Sequence, residues 1–213
     1  MLLIFDLDGT LFQAKTSVLL AVRRLLDELG IPAPDENTIL KNAGQGIDAL
    51  LRNILPRGSA LAVARMRALE LMRKAVLECG ELFPGVREAV IQLHNEGYEL
   101  AICSNSPEEY IETVLEHTGI ADAFSRYCSV SAYPSKASAI RELLQTEPPH
   151  CPPGCPTAIV IGDTHGDVEA AHENGLPAIA VTYGYGNKTM LDAAEYQAGT
   201  PMDIINCIHK IVT

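Results

Sequence analysis

Leu2-Leu3-Ile4-Phe5-Asp6-Leu7-Asp8-Gly9-Thr10-Leu11 decides how the rest of the chain is read. Four apolar residues run into a polar turn that contains glycine, the pattern of a strand buried in a parallel sheet. Similar runs occur at Glu99 to Cys103, Ala158 to Ile161 and Ala178 to Val181, with a weaker one near Tyr127 to Val130. Helical patterns separate them. Val86 to Asn95 is amphipathic and stops at Gly97. Ser106-Pro107-Glu108-Glu109 reads as an N-cap, a first-turn proline and two acids at the positive end of a helix that runs to Gly119. Further helices are expected after Ser135 and from Gly166 to Gly175. Strands alternating with helices in this way predict an α/β fold with a doubly wound parallel sheet.

One stretch breaks the rhythm. From Thr16 to Gly80 no strand pattern occurs. Val18, Val22, Leu25, Leu26 and Leu29 trace one helical face closed by Gly30 and Pro32; Asp35 can cap a second helix, Gly46 to Leu55 makes a third and Ser59 to Cys79 a fourth. A helical cap over residues 14–81 is therefore expected on a core of residues 1–13 and 82–213, with hinges near Leu11 to Ala14 and Glu81 to Gly85.

Composition narrows the function. The 213 residues include 16 Lys and Arg against 27 Asp and Glu, a net charge of −11, which argues against a nucleic-acid partner. An anionic substrate stays open, because a bound metal reverses a local field. Four of the six cysteines (Cys79, Cys103, Cys128 and Cys207) are scattered singly, as reduced thiols are. The first apolar run lacks a basic flank and stops at Asp6, too short for a signal peptide or a membrane span. A cytoplasmic protein, monomeric or weakly homo-oligomeric and without membrane contact, is expected.

Polar residues collect just after strands: Asp6 and Asp8, Ser104 and Asn105, Lys136, and Gly162-Asp163 with Asp167. Asp6 and Asp8 can both reach an opening where the strand turns, and Asp163 and Asp167 stand four apart as a strand gives way to a helix. Four converging carboxylates need cations, and a hard divalent ion and the Lys136 ammonium are the candidates. In order and spacing, Asp6-Leu7-Asp8-Gly9-Thr10-Leu11, Ser104, Lys136 and Gly162 to Asp167 resemble the four signatures of the haloacid dehalogenase superfamily, in its phosphatase branch.

That resemblance implies a phosphatase in which Asp6 attacks phosphorus and Asp8 serves as acid and then base. Mg²⁺ would be held by Asp6, the Asp8 backbone carbonyl and Asp163. Ser104, the Asn105 amide and Lys136 would hold phosphoryl oxygens, and Asp167 would orient Lys136 or a metal-bound water. The superfamily's dehalogenases lack the second acid, since a halide leaves without a proton, so Asp8 favours phosphate esters. In the cap, Ala43-Gly44-Gln45-Gly46-Ile47-Asp48 resembles the specificity loop of phosphoglycolate phosphatases, as does Tyr183-Gly184-Tyr185-Gly186 beyond the last core strand. Gly44, Gln45 and Gly46 are thus expected to contact a small phosphate ester.

Departures and alternatives remain. Gln13 stands where many relatives carry an acid, and is expected at the mouth of the cap. Lys136 lacks the adjacent proline of the commoner version, which leaves a solvated helix residue as the plain alternative. His165 reads as a solvent-facing loop residue. His150, Cys151 and Cys155 resemble half a zinc site, with Cys128 as a fourth ligand, although a proline-stiffened loop is the preferred reading. A phosphosugar mutase with the same core is one alternative, and a non-hydrolytic phosphate-binding or phospho-receiver module is another, of a different class. Asp8 argues against the receiver, because a built-in hydrolytic base shortens a phospho-signal.

Overall fold

The computed structural model describes residues 1–44, 46–145, 154–187, 189 and 191–212. Among them one sheet of six parallel strands is formed by β1 (Leu2–Phe5), β2 (Glu99–Ser104), β3 (Phe124–Ser129), β4 (Ala158–Gly162), β5 (Ala178–Val181) and β6 (Tyr196–Ala198). Their spatial order is β3-β2-β1-β4-β5-β6. The first strand is central, with Leu3 beside Leu100 on one flank and Ile159 on the other.

Both faces of the sheet are covered, which explains the unbroken apolar runs. Leu3, Phe5, Ile102, Ile159, Ile161, Ile179 and Val181 join the layer containing α5 (Val86–Asn95), α6 (Glu108–Thr118) and α9 (Pro201–Val212). Leu2, Ile4, Ala101, Cys103, Val160 and Ala180 face α7 (Lys136–Gln145) and α8 (His165–Glu173). Each fully buried Leu or Ile contributes about 1.5–3 kcal/mol, so the central strand alone anchors the sheet firmly.

The expected helical cap is present as α1 (Ala14–Glu28), α2 (Glu36–Ala43), α3 (Ile47–Ile54) and α4 (Leu61–Cys79). Val18, Val22, Leu25 and Leu26 are buried as the pattern requires. Leu29 is not: it lies past the end of α1 and is 49% exposed. Asp35 caps α2 by accepting from the Thr38 backbone N–H at 3.0 Å. The first and fourth helices pack together, and Arg73 of α4 donates from Nε to Thr113 Oγ1 of α6 at 2.8 Å.

The two hinge segments lie side by side. Gln13 N–H donates to Glu81 O at 2.8 Å and Phe83 N–H to Leu11 O at 3.0 Å, with Phe12 bridging Leu82 antiparallel. Gln13, expected at the mouth of the cap, directly precedes α1. Its Nε2 donates to Leu82 O at 2.8 Å, so it ties one hinge to the other.

Other departures are instructive. The third strand starts at Phe124, three residues before the expected run, because Ser125 and Arg126 disguise it; Arg126 pairs across the sheet with Glu99. The strand at Tyr196, three residues that carry too little pattern to be read, and the helix from Pro201 to Val212 add to the expected elements. Cys103 and Cys128 are not solitary: they are register partners on the adjacent strands β2 and β3. The Cys155 thiol meets Val212 O at 3.7 Å. His150 and Cys151 lie outside the described residues. No helix among the described residues is long and apolar enough to cross a membrane.

Candidate active site

The chain order reverses at the first strand, and Asp6 and Asp163 follow the two strands that flank this switch, β1 and β4. Crevices at such points are where ligands bind in open α/β sheets. The Asp6 N–H donates to Ile161 O at 2.8 Å, extending strand pairing to Asp6. Beyond it the chain turns tightly, with the N–H groups of Leu11 and Phe12 both donating to Leu7 O at 2.9 Å. Gly9 is required in this turn. Its φ is +96°, and a Cβ would stand 2.3 Å from Asp163 Oδ2. Ser104 closes β2, and Lys136 opens α7.

These groups meet around one ammonium. Lys136 Nζ lies 2.5 Å from Asp6 Oδ1 and 2.5 Å from Asp167 Oδ1. It is 11% exposed at the side chain, which removes the solvated-helix alternative. Burial opposes its charge, yet Asp167 and Asp6 outweigh that and hold its pKa well above the usual range. The other oxygen of Asp167 accepts from Thr164 N–H at 2.9 Å and Thr164 Oγ1 at 2.6 Å, in a capping box that starts α8. Asp167 is thereby fixed, and it faces the ammonium.

Carboxylate oxygens of Asp6, Asp163 and Asp167 all lie within 4.8 Å of one another, and all three residues are buried. Three carboxylates against one ammonium leave two negative charges. Burial pushes the Asp6 pKa well up, against the pull of Lys136, and Asp167 and Asp163 push the same way. Burial likewise pushes Asp163 up to about 6, opposed by the Tyr185 N–H. An all-oxygen donor set with surplus negative charge fits a hard divalent cation. The Asp8 carboxylate stands outside this cluster, so only its backbone carbonyl remains available for the metal role expected of it.

Asp8 is held by α6. Ser106 Oγ donates to Asp8 Oδ2 at 2.6 Å and the Tyr110 hydroxyl donates to Asp8 Oδ1 at 3.1 Å. Burial raises the Asp8 pKa, while Ser106 and Tyr110 pull it back. Here the sequence reading needs correction: Pro107, not Ser106, occupies the N-cap position of α6, with no side-chain cap. By local pattern Ser106 reads as a helix cap, and Tyr110 as part of a helix. No local signal marks a residue whose partner lies about 100 positions away.

A cavity of about 280 Å³ opens above these groups. Asp6, Asp8, Ser104, Asn105, Asp163 and Thr164 line its core end. Val18, Leu40, Ile47, Leu50 and Met72 of the cap line it as well, with Lys15 and Lys41, two residues that the sequence reading does not single out. Gly44 and Gly46 both line it. Gly46 has φ +88°, and a Cβ there would be 3.5 Å from Asn105 O, so the cap loop touches the core. Gly44 is in ordinary helical conformation with open space around it, and does not need to be glycine. Gln45 lies outside the described residues. His165 starts α8 and pairs with Glu169 at 3.1 Å, away from the cavity lining.

The loop at Tyr183 to Gly186 wraps Asp163. The Tyr185 N–H donates to Asp163 Oδ2 at 2.7 Å, and a Cβ on Gly186 would stand 1.7 Å from Asp163 O. The Tyr185 ring lies 4.3 Å from Lys15 Nζ, which connects this loop to the first turn of α1.

A sheet of this order with carboxylates, a serine and a buried lysine at its carboxyl edge, under a helical cap, defines a class, and the comparisons agree. The sequence model of the haloacid dehalogenase-like hydrolases matches residues 3–181. The chain is 32% identical over 208 residues to a phosphoglycolate phosphatase of Pseudomonas putida, covering 90% of this chain and 73% of that one. It is 27% identical over 205 residues to the phosphoglycolate phosphatase of Vibrio parahaemolyticus, covering 91% and 88%. A solved haloacid dehalogenase-like hydrolase from Streptococcus pneumoniae matches with a TM-score of 0.82 at 27% identity, over 97% of each chain. The chain belongs to the haloacid dehalogenase-like hydrolase family. Within it, the chain is a phosphatase.

Proposed function

We propose that this phosphatase is Mg²⁺-dependent and hydrolyses a small phosphate monoester, of the phosphoglycolate or sugar-phosphate kind, through an aspartyl-phosphate on Asp6. The observation that carries the reading is the Asp6 carboxylate at the floor of the cavity, 2.5 Å from a buried ammonium, with a second, separately held carboxylate on Asp8 lining the same cavity. An Asp6 oxygen attacks phosphorus while the ester P–O bond breaks, and Asp8 gives its proton to the departing alkoxide. Asp8, now ionised, takes a proton from the water that attacks the phosphorus of the acyl phosphate. That step returns Asp6 and releases inorganic phosphate.

Lys136 and the hydroxyl of Ser104, with the Asn105 amide, meet charge on the phosphoryl oxygens, a mainly electrostatic task. Asp167 orients Lys136, since one of its oxygens faces the ammonium and the other is held by Thr164. Mg²⁺ would be held by Asp6, Asp163 and the Asp8 carbonyl; bound there it offsets the carboxylates and draws charge from the phosphoryl group. We take the cap as residues 14–81 and the core as 1–13 and 82–213. A cavity of about 280 Å³ suits a short carbon skeleton, and Lys15 and Lys41 along its lining suit a second anionic group. The named activity of the Pseudomonas and Vibrio relatives favours phosphoglycolate among such esters.

The test is phosphate release from a panel of small monoesters with Mg²⁺. Steady turnover is expected; a single stoichiometric burst would indicate a receiver, and an isomerised product with retained phosphate a mutase. Activity should vanish with a chelator and return with Mg²⁺ but not with Ca²⁺. Mg²⁺ holds octahedral geometry at about 2.1 Å, whereas Ca²⁺ takes longer, bidentate carboxylate contacts that occupy the attacking oxygen. Full turnover in Ca²⁺ alone contradicts the site.

The cap loop offers a selectivity test. Gly46→Val forces a side chain into φ +88° and toward Asn105 O. It should lower kcat/KM for the preferred ester about 10- to 200-fold more than for an aryl phosphate. Gly44→Ala should change the ratio little. Equal losses on both substrates would show that this loop does not select.

A further inference from the structure

The geometry points to Tyr110 and Ser106 as positioning residues for Asp8, one hydroxyl on α6 and one just before it, which grip both of its carboxylate oxygens. This rests on the reading of Asp8 as proton donor and acceptor given above.

An acid at a strand end needs a fixed aim to protonate a leaving oxygen, and nothing on its own strand supplies one here. Asp8 follows β1 by three residues, in the turn that returns toward the cap. Its Oδ2 is held at 2.6 Å by Ser106 Oγ, and its Oδ1 at 3.1 Å by the Tyr110 hydroxyl. Two donors on two oxygens fix the carboxyl plane as well as its direction. Each oxygen keeps a further lone pair, so a proton can still be carried toward the cavity.

The grip is itself anchored. Tyr110 is fully buried, one turn inside α6, with its ring edge-on to Phe12 at 6.4 Å between centroids and 81° between planes. Ser17, on the first helix of the cap, stands beside the same phenol. The aromatic ring therefore spans the space between the hinge residue Phe12, the cap and the acid. Ser106 lines the cavity directly, and its backbone N–H donates to Ser104 Oγ at 3.1 Å. The same short segment thus connects the phosphate-holding serine to the proton-carrying carboxylate.

The experiment compares Tyr110→Phe, Ser106→Ala, Ser106→Thr and Asp8→Asn on two substrates. One is an alkyl phosphate, whose alkoxide needs a proton to leave; the other is a nitrophenyl phosphate, whose leaving group does not. In Asp8→Asn the alkyl substrate should fail while the aryl one still phosphorylates Asp6. Tyr110→Phe and Ser106→Ala should each shift the aryl-to-alkyl ratio of single-turnover Asp6 phosphorylation rates, read before Asp8 acts as base, about tenfold in the same direction, as expected for one hydrogen bond to a charged group. KM for the alkyl ester should be nearly unchanged, and Ser106→Thr should restore the wild-type ratio.

Equal losses on both substrates, or a change confined to KM, would overturn the positioning role while leaving Asp8 as the acid. If Asp8→Asn itself shows no leaving-group dependence, the reading of Asp8 fails first and this inference with it. Should Tyr110→Phe unfold, Ser106→Ala decides alone, because its side chain borders the cavity and leaves the core intact.

Discussion

Asp6→Asn is expected to lose turnover by on the order of 10⁴-fold or more, with the fold retained. Asn matches Asp in shape but carries no charge with which to attack phosphorus. The substitution also removes one of three buried carboxylates that crowd within 4.8 Å. Burial already disfavours that charge, and Asp167 and Asp163 disfavour it further. In a chelator the variant should therefore melt no lower than the parent, and Mg²⁺ should raise its melting temperature less. Intact-protein mass spectrometry with an aryl phosphate should show a phosphorylated species only for the parent. A folded Asp6→Asn protein with a tenth of normal activity would be incompatible with covalent catalysis at this position.

Lys136→Met is expected to strike both activity and stability. The ammonium touches Asp6 and Asp167, each at 2.5 Å, in a site that is nearly closed to water. Methionine fills much of the same volume, yet leaves those carboxylates facing one another. Breaking a buried pair by removing one partner costs about 3–5 kcal/mol, or roughly 6–20 °C in Tm for a chain of this size. The loss should be largest in a chelator and smaller with Mg²⁺, which supplies part of the missing positive charge. Turnover should fall by about 10²–10³ even with Mg²⁺, because the phosphoryl oxygens lose a fixed cation. Lys136→Arg should not rescue it, since a planar fork cannot replace a compact ammonium between two carboxylates. An unchanged Tm in chelator, together with more than a tenth of parental activity, would remove Lys136 from the site.

The sequence by itself determined the sheet and the polar residues along its edge. Strand runs such as Leu2 to Phe5 and Ala158 to Ile161 must be buried on both faces, and four short motifs after strand ends must then share one side of the sheet. Helical periodicity over 65 residues without a strand pattern was enough to separate the cap. These are local properties, carried by neighbours within a few positions. What depended on distant pairing was decided only by the tertiary structure. Ser106 reads as a helix cap until Asp8, 98 positions earlier, arrives to accept its proton. Tyr110 reads as one more helical residue, and Gln13 as a residue at the mouth of the cap until Leu82 O accepts its amide. Cys103 and Cys128 look solitary because strand register, not spacing, brings them together. Lys15 and Lys41 lie on different cap helices, and neither belongs to a motif; only the packing of the cap over the sheet turns them toward one cavity. Local pattern specifies which elements form and which end of the sheet is polar, whereas the aim of each catalytic side chain is set by donors and charges that the chain supplies from far away.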